Sequence, residues 1–291
     1  MSAMRSILPD KDVRVRKIRI PTPHGSIPAL ILSPRTAPTA ATGVLWIHGG
    51  GYISGMKEMV HMSRAVDLVK KFGAVVLSPG YRLAPLSPYP AALDDCYAAL
   101  IYLKENAAAL GVRSDQLMVG GESAGGGLCA AVCIRARDSG EVNVAFQMPL
   151  YPMLDDRDTE SSRDNHGRVW NTRRNHLAWR LYLRGTDRAQ LTPYAAPARL
   201  EDFSGLPPAY SFVGDGEPFY VETVSYFEHL RNAGIPAELD VYHTDMHAFD
   251  MMQPDSALAV RAADAFNHQF ERAQKRYFSP QPGDGRNSND T

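Results

Sequence analysis

Short apolar runs alternate along the chain with longer segments in which apolar residues recur at helical spacing. The runs predict buried strands at 43–47, 74–78, 117–120, 145–150, 209–213 and 237–242. The helical spacing predicts helices at 57–72, 90–109, 124–138, 219–233 and 255–275. Strands that alternate with helices in this way indicate an α/β fold, in which a mostly parallel sheet carries helices on both faces.

Two further strands are predicted near the start of the chain, at 13–20 and 27–32. A Pro-His-Gly triplet at 23–25 separates them and predicts a hairpin turn, so these strands should pair antiparallel and bring the sheet to eight strands. The last residues, 279–291, contain no core-forming side chain, which predicts a disordered tail. We therefore expect a single domain over residues 1–278.

The composition excludes several classes of protein. The chain has 291 residues, a formal net charge of −1 and 44% hydrophobic residues, so it can bury one large core and lacks the positive excess of a nucleic-acid-binding protein. It contains no run of eighteen apolar residues that would predict a membrane span. The first residues lack the apolar stretch of a secretory signal, so a cytoplasmic protein is expected. No His or Cys cluster has metal-ligand spacing, and neither a metal nor an organic cofactor is expected.

The clearest chemical signal is a glycine-rich turn between the strand at 117–120 and the helix at 124–138. It reads Val-Gly-Gly-Glu-Ser-Ala-Gly-Gly, so that Gly121 and Gly125 stand two residues either side of Ser123. A serine at the tip of a tight strand-to-helix turn presents its hydroxyl away from the backbone, and the glycines remove Cβ atoms that would clash there. The pattern predicts Ser123 as a catalytic nucleophile.

A second glycine cluster follows the strand at 43–47, where the sequence reads His-Gly-Gly-Gly from His48 onward. In hydrolases with a serine elbow, such a loop supplies backbone N–H groups to the oxyanion hole. Gly49 and Gly50 are therefore predicted donors, joined by Ala124, the residue after the nucleophile. His48 is expected to hold the loop by hydrogen bonding rather than to act as a base.

With these two motifs the chain resembles the hormone-sensitive-lipase-like esterases of the α/β-hydrolase fold. The likeness runs over roughly residues 20–275, and the motifs appear in the family's order. Other segments that resemble the family lie at 81–85, 89–95, 151–155, 194–197 and 206–209. The resemblance implies the α/β-hydrolase fold and a serine esterase.

The resemblance also implies a small cap over the active site. In the family the cap is formed by the chain's N-terminus, which here would be about residues 1–12, and by an insertion, which here would be residues 155–192. Because the N-terminal part is shorter than the family usually has, we expect a reduced and more open cap.

The catalytic base is predicted to be His247, since the triad partners in this fold follow in the order serine, acid, histidine. His247 lies after the last strand, where the family carries His-Gly-Phe, although Ala248 replaces the glycine. His243 is the alternative. It stands at the strand end and is more typical of a half-exposed structural residue.

The triad acid follows the strand at 209–213, in Gly-Asp-Gly-Glu-Pro. Alignment on Pro218 with the family's Asp-Pro-Leu places Glu217 in the acid position. A glutamate can hold the imidazole tautomer and stabilise imidazolium. Asp215 is the alternative, and it is more typical of a helix or turn cap.

Together these residues predict a serine carboxylesterase that hydrolyses short-chain acyl esters through an acyl-enzyme. The expected partner is a small-molecule ester, and a homodimer is compatible with the sequence. An amidase or deacetylase acting on small acylated compounds would use the same residues, so that alternative stays open. A non-catalytic small-molecule receptor on this fold is the other alternative, although such a protein would be expected to lose a triad member.

Overall fold

The computed structural model describes residues 8–283 and contains one eight-stranded sheet in the order β1-β2-β4-β3-β5-β6-β7-β8. The strands are β1 (Val13–Thr22), β2 (Gly25–Pro34), β3 (Ala41–Ile47), β4 (Val75–Pro79), β5 (Val112–Glu122), β6 (Phe146–Leu150), β7 (Ala209–Gly214) and β8 (Ala237–Tyr242). β2 runs antiparallel to both of its neighbours, and the other pairs are parallel. The predicted mostly parallel sheet of eight strands is confirmed.

The helices lie close to the predicted segments. They are α1 (Ala65–Phe72), α2 (Ala91–Glu105), α3 (Ala124–Ser139), α4 (Thr172–Tyr182), α5 (Tyr220–Asn232), α6 (Phe249–Met252) and α7 (Ala257–Arg276). The single helix predicted at 57–72 is interrupted, because Ser63 has extended backbone between the 3-10 helix Lys57–Met62 and α1. α6 was not predicted, since four residues are too few to show a helical period.

The central strands are buried on both faces, as expected for a parallel sheet covered by helices. In β3, Leu45 and Ile47 pack in the cluster that includes residues of α2 and α3, whereas Val44 and Trp46 pack in the cluster that includes residues of α1 and α7. This alternation follows from the two-residue period of a strand. The parallel pairing of β3 to β8 places the carboxyl ends of these strands at one edge of the sheet, where the loops that follow them can form a site.

Only part of the predicted cap lies near that edge. The insertion at 155–192 does, because Asn165 Nδ2 donates to the carbonyl of Gly216 just after β7. Residues 8–12 do not: Val13 pairs with Pro34, which places the start of β1 at the opposite edge of the sheet. The prediction that the N-terminal segment contributes to the cap is therefore wrong for residues 8–12. Residues 1–7 lie outside the described chain.

The predicted tail boundary at 279 is too early. The amide of Ser279 donates to the carbonyl of Asp115, and Gln281 is buried, with its Nε2 donating to the carbonyls of Ser114 and Asn143. Polar side chains can fix a segment that lacks core residues when they satisfy buried backbone groups. Residues 284–291 lie outside the described chain. Within residues 8–283 no helix combines the length and the apolar character that a membrane crossing requires.

Candidate active site

Ser123 lies at the tip of a tight turn between β5 and α3. Its backbone has φ 58° and ψ −121°, an unusual conformation for a residue with a side chain. Two hydrogen bonds to the segment after β6 hold it: its amide donates to the carbonyl of Leu150, and its carbonyl accepts from the amide of Met153. A Cβ on Gly125 would lie 2.1 Å from the carbonyl oxygen of Ile47, so only glycine fits there.

The structure brings Ser123, His247 and Glu217 into one chain of contacts. Ser123 Oγ lies 2.9 Å from His247 Nε2, and His247 Nδ1 contacts Glu217 Oε2. All three side chains are buried. Because a carboxylate only accepts hydrogen bonds, this contact favours the tautomer with hydrogen on Nδ1 and leaves Nε2 to accept from the serine hydroxyl. The other carboxylate oxygen of Glu217 accepts from the amide of Gly214 at 3.0 Å.

The two alternative residues pair with each other instead. His243 Nδ1 lies 2.8 Å from Asp215 Oδ2, and the His243 side chain is 99% exposed. Asp215 also accepts from the amide of Thr244, as in a turn cap. The hydrogen bond with Asp215 raises the pKa of His243. This pair stands in solvent, and neither residue contacts Ser123.

The residue after His247 is alanine where the family has glycine, and its backbone conformation is one that favours glycine. Ala248 has φ 55° and ψ 38°, which is the left-handed region that glycine occupies without strain. The relatives' glycine suits this position, and an alanine here costs about 1 kcal/mol of backbone strain. The helix α6 begins at the next residue, Phe249.

The glycine loop after β3 lies directly against the nucleophile. A Cβ on Gly49 would lie 3.2 Å from Ser123 Cβ, so the absence of a side chain allows the two backbones to approach. Within residues 8–283 the amides of Gly49 and Gly50 donate to no hydrogen-bond acceptor, and Ala124 is the first residue of α3. The amides of Gly49 and Gly50, and that of Ala124 in the first turn of α3, are therefore free of helix and sheet partners within the described chain, as an oxyanion donor must be.

His48 lies in the position of a loop anchor, as expected. Its Nδ1 is 2.8 Å from the carbonyl oxygen of Gly49, and its ring stacks on Tyr81 at 4.2 Å. The hydroxyl of Tyr81 donates to the carbonyl of His48. Burial lowers the pKa of His48 to about 4, so the ring is neutral at neutral pH.

Glu122, next to the nucleophile, points away from the reacting groups. Its Oε1 accepts from the indole Nε1–H of Trp46 in β3 at 2.8 Å. Burial is the main cause that raises the pKa of Glu122 to about 8, and the nearby Asp250 raises it further. The carboxyl group is therefore mostly protonated at neutral pH. Its hydrogen bond with Trp46 connects the residue before the nucleophile to β3.

A buried network of polar side chains, which the sequence did not reveal, packs against the imidazole ring of His247. The Tyr151 ring packs edge-on against the imidazole at 5.1 Å, and its hydroxyl donates to Asp250 at 2.9 Å. Asp250 forms a buried ion pair with Arg64 at 3.2 Å. These residues come from three distant segments, so no local spacing could have identified them. The one local feature that marked any of them was the Tyr-Pro dipeptide at 151–152, just after β6, which resembles the family's sequence.

Two aromatic rings, Trp170 of the insertion and Phe219 just before α5, form one wall of the site. Phe219 packs edge-on against His247 with ring centroids 5.0 Å apart, and Trp170 lies 6.4 Å from Phe219. A Cβ on Gly51 would lie 2.1 Å from the Trp170 ring. Trp170 is half-buried and borders the space above the glycine loop. Trp179 packs elsewhere, against Tyr52.

Comparisons with known proteins agree with this fold and site. A family model described as alpha/beta hydrolase fold matches residues 44–251. Esterase LipI of Mycobacterium tuberculosis is 33% identical over 242 residues, which cover 82% of this chain and 75% of that protein. Carboxylesterase NlhH of the same species is 36% identical over 228 residues, covering 76% and 69%. The solved bacterial heroin esterase superposes with a TM-score of 0.86 at 32% identity, covering 90% of this chain and 85% of that one.

The chain therefore belongs to the α/β-hydrolase family, in its hormone-sensitive-lipase-like branch, as the motifs predicted.

Proposed function

We propose that the protein is a serine carboxylesterase in which Ser123 is the nucleophile, His247 the general base and Glu217 the acid that orients it. The class of enzyme, a carboxylic ester hydrolase, is confirmed by the esterases among its relatives. The observation that carries the residue assignment is the buried contact chain from Glu217 through His247 to Ser123 Oγ. This is the arrangement that serine hydrolases use on several unrelated folds.

The proposed reaction proceeds in two acyl-transfer steps. His247 Nε2 takes the proton of Ser123 as its Oγ attacks the ester carbonyl carbon. The amides of Gly49, Gly50 and Ala124 stabilise the negative charge on the carbonyl oxygen. The imidazolium returns the proton to the leaving alcohol, which breaks the ester bond and leaves the acyl group on Ser123. His247 then takes a proton from the water that attacks the acyl-enzyme, and returns it to Ser123 Oγ as the acyl–oxygen bond breaks and the acid leaves.

We also propose that the acyl chains are short. The insertion at 155–192 is the part of the predicted cap that lies near the site, and Trp170 and Phe219 border the space beside His247. A site with little apolar cover can remove few methylenes from water, so longer chains gain little binding.

Replacement of Ser123 by alanine tests the assignment most directly. We expect Ser123→Ala to reduce kcat on p-nitrophenyl butyrate by about three orders of magnitude or more, because no other group can form the acyl-enzyme. An organophosphonate probe should label the wild-type protein once, on the peptide that contains Ser123, and should not label the variant. Ser26→Ala, a change on the exposed hairpin, is the matched control. Retention of most activity in the Ser123 variant would overturn the proposal.

A further inference from the structure

A cavity of about 940 Å³ opens on the outward face of α4, and neither Ser123 nor the glycine loop lines it. On the helix itself, Arg173, Leu177 and Arg180 lie on one face, at the three- and four-residue spacing that brings side chains together. The 3-10 turn after α4 adds Arg188. The volume falls within the range of roughly 300–1,000 Å³ typical of small-molecule sites.

Positive charge in this cavity is not balanced by its carboxylates. Among residues 8–283, Arg173, Arg180 and Arg188 have no ion pair or side-chain hydrogen bond. Arg174, which also lines the cavity, donates only to backbone carbonyls, so its charge has no carboxylate partner either.

The two carboxylates in the lining are already engaged. Asp156 accepts two hydrogen bonds from Arg199, at 2.7 and 3.0 Å. Asp158 lies 2.7 Å from His176 Nε2. Neither carboxylate pairs with an arginine of the lining, and two carboxylates cannot balance four arginines, so the cavity keeps a surplus of positive charge and of hydrogen-bond donors.

An aromatic side chain completes the lining and links the cavity to the active site. Trp179 lines the cavity and is buried, and its indole Nε1–H has no acceptor within the described chain. Its ring packs against Tyr52 with centroids 5.5 Å apart, and Tyr52 directly follows Gly51 in the glycine loop. A single aromatic layer therefore separates the cavity from the proposed oxyanion loop.

We propose that this cavity binds a small anion that carries at least two negative charges, on carboxylate or phosphate groups. The planar guanidinium group matches both groups with paired hydrogen bonds, which an ammonium group does not. Leu177 and the Trp179 ring offer apolar contact to the body of such a ligand. Because the arginines are exposed, binding is sensitive to ionic strength.

Calorimetry with citrate and with pyrophosphate, at fixed ionic strength, tests the site, and acetate is the monoanionic reference. We expect saturable binding of at least one of the two polyanions, about tenfold or more tighter than acetate. Arg173→Gln/Arg180→Gln should weaken that binding by about tenfold or more, because two charged donors are lost. Arg14→Gln/Arg16→Gln, on the exposed side of β1, makes the same change in net charge outside the cavity and should weaken it less than about twofold.

Two results would overturn the proposal. One is the absence of saturable polyanion binding by the wild-type protein. The other is equal weakening in both double variants, which would mean that net charge alone attracts the anion. Binding can be measured on Ser123→Ala protein as well, so its failure is distinguishable from failure of the proposed esterase mechanism.

The anion could be part of an ester substrate or a separate ligand, and kinetic measurements distinguish these two cases. Either result is consistent with an anion site in the cavity. If the anion is the acidic end of an ester, the cavity variant should raise KM for the mono-p-nitrophenyl ester of tricarballylic acid, which keeps two free carboxylates, and leave KM for the neutral butyrate unchanged. If the anion is a separate ligand, the cavity variant should leave both KM values unchanged, and the polyanion should alter the rates of the wild-type protein only.

Discussion

At the scale of single residues, burial distinguishes the two acid–histidine pairs after β7 and β8. Glu217 and His247 are shielded from water, whereas His243 is fully exposed and its partner Asp215 is partly so. Water screens an exposed pair, and an exposed hydrogen bond does little to fix a side chain. Only the buried pair can therefore hold an imidazole in one tautomer and orientation.

Matched amide substitutions of the two acids test this distinction. Glu217→Gln keeps the size of the side chain but lets its amide favour the wrong imidazole tautomer, and we expect kcat to fall by roughly two to four orders of magnitude. Asp215→Asn should change kcat less than about twofold, because it alters only an exposed pair. Steady-state kinetics at pH 7.5 provide the measurement. If Asp215→Asn proved the more damaging, the acid would be misassigned although the nucleophile would stand.

Glu122 allows a prediction about stability and pH. Its pKa in the folded protein is about 8, against 4.5 for an exposed glutamate. Between these values the unfolded chain has lost the proton and the folded chain has kept it, so this residue lowers the unfolding free energy as pH rises. The slope for one such group is about 1.4 kcal/mol per pH unit within that window.

Glu122→Gln should remove that slope, since glutamine keeps an oxygen for the Trp46 indole but does not ionise. We expect the difference in unfolding free energy, variant minus wild type, to increase by about 2 kcal/mol between pH 5.5 and 7.5. Urea unfolding at the two pH values measures it, and Glu105→Gln in the last turn of α2 is an exposed control. A difference independent of pH would mean that Glu122 is ionised throughout.

At the scale of elements, the elbow depends on close contact between β3 and the first turn of α3. Gly125→Ala would place a Cβ 2.1 Å from a backbone oxygen, and backbone cannot move aside as a side chain can. We expect a loss of about 3 kcal/mol or more in unfolding free energy, together with most of the activity. Thermal unfolding and esterase assays measure the two effects.

Gly140→Ala, at the end of the same helix, is the matched control. Gly140 has φ 64° but no atom within 4 Å of an added Cβ, so the substitution introduces backbone strain without a clash. Its expected effect is about 1 kcal/mol with activity retained. Equal effects of the two substitutions would show that steric exclusion does not determine the glycine at 125.

Local signals explain why the elements that carry Ser123 and His247 could be predicted. A nucleophile elbow is a strand, a turn and a helix adjacent in sequence, and Pro218 fixed the alignment of Glu217 in the same way. The support behind His247 has no such signal. Tyr151 follows β6, Asp250 lies in α6 and Arg64 precedes α1, so their contact exists only once the sheet has formed.

Local patterns also could not predict at which edge of the sheet β1 begins. The hairpin was predicted, but its position depends on the antiparallel pairing of β2 with β4, a long-range contact. That pairing carries residues 8–12 to the edge of the sheet opposite the site. Resemblance alone had assigned them to the cap, because the family uses its N-terminal segment there.

At the scale of the whole molecule, we expect the insertion at 155–192 to determine which esters can be bound. The insertion is fixed to the body by contacts on several elements, including the amide of Tyr89 to the carbonyl of Tyr182 and Ser161 Oγ to the carbonyl of Pro218. Trp170 is therefore held beside Gly51 as part of a formed wall. The size of the acyl group then depends on the space that this wall leaves.

The last prediction follows from that wall and concerns acyl length. Each methylene contributes to binding only where it leaves water, by about 0.8 kcal/mol when fully buried, so kcat/KM should be highest for acyl chains of about two to six carbons. Beyond the wall, additional length displaces the carbonyl from Ser123 and lowers turnover. Trp170→Ala should move the maximum toward longer chains, and Leu86→Ala, a change at a fully exposed side chain, should not. The measurement is kcat/KM for p-nitrophenyl esters from acetyl to dodecanoyl, below their micellar limits. A wild-type maximum at ten carbons or more would mean that the insertion forms a deep channel rather than a wall.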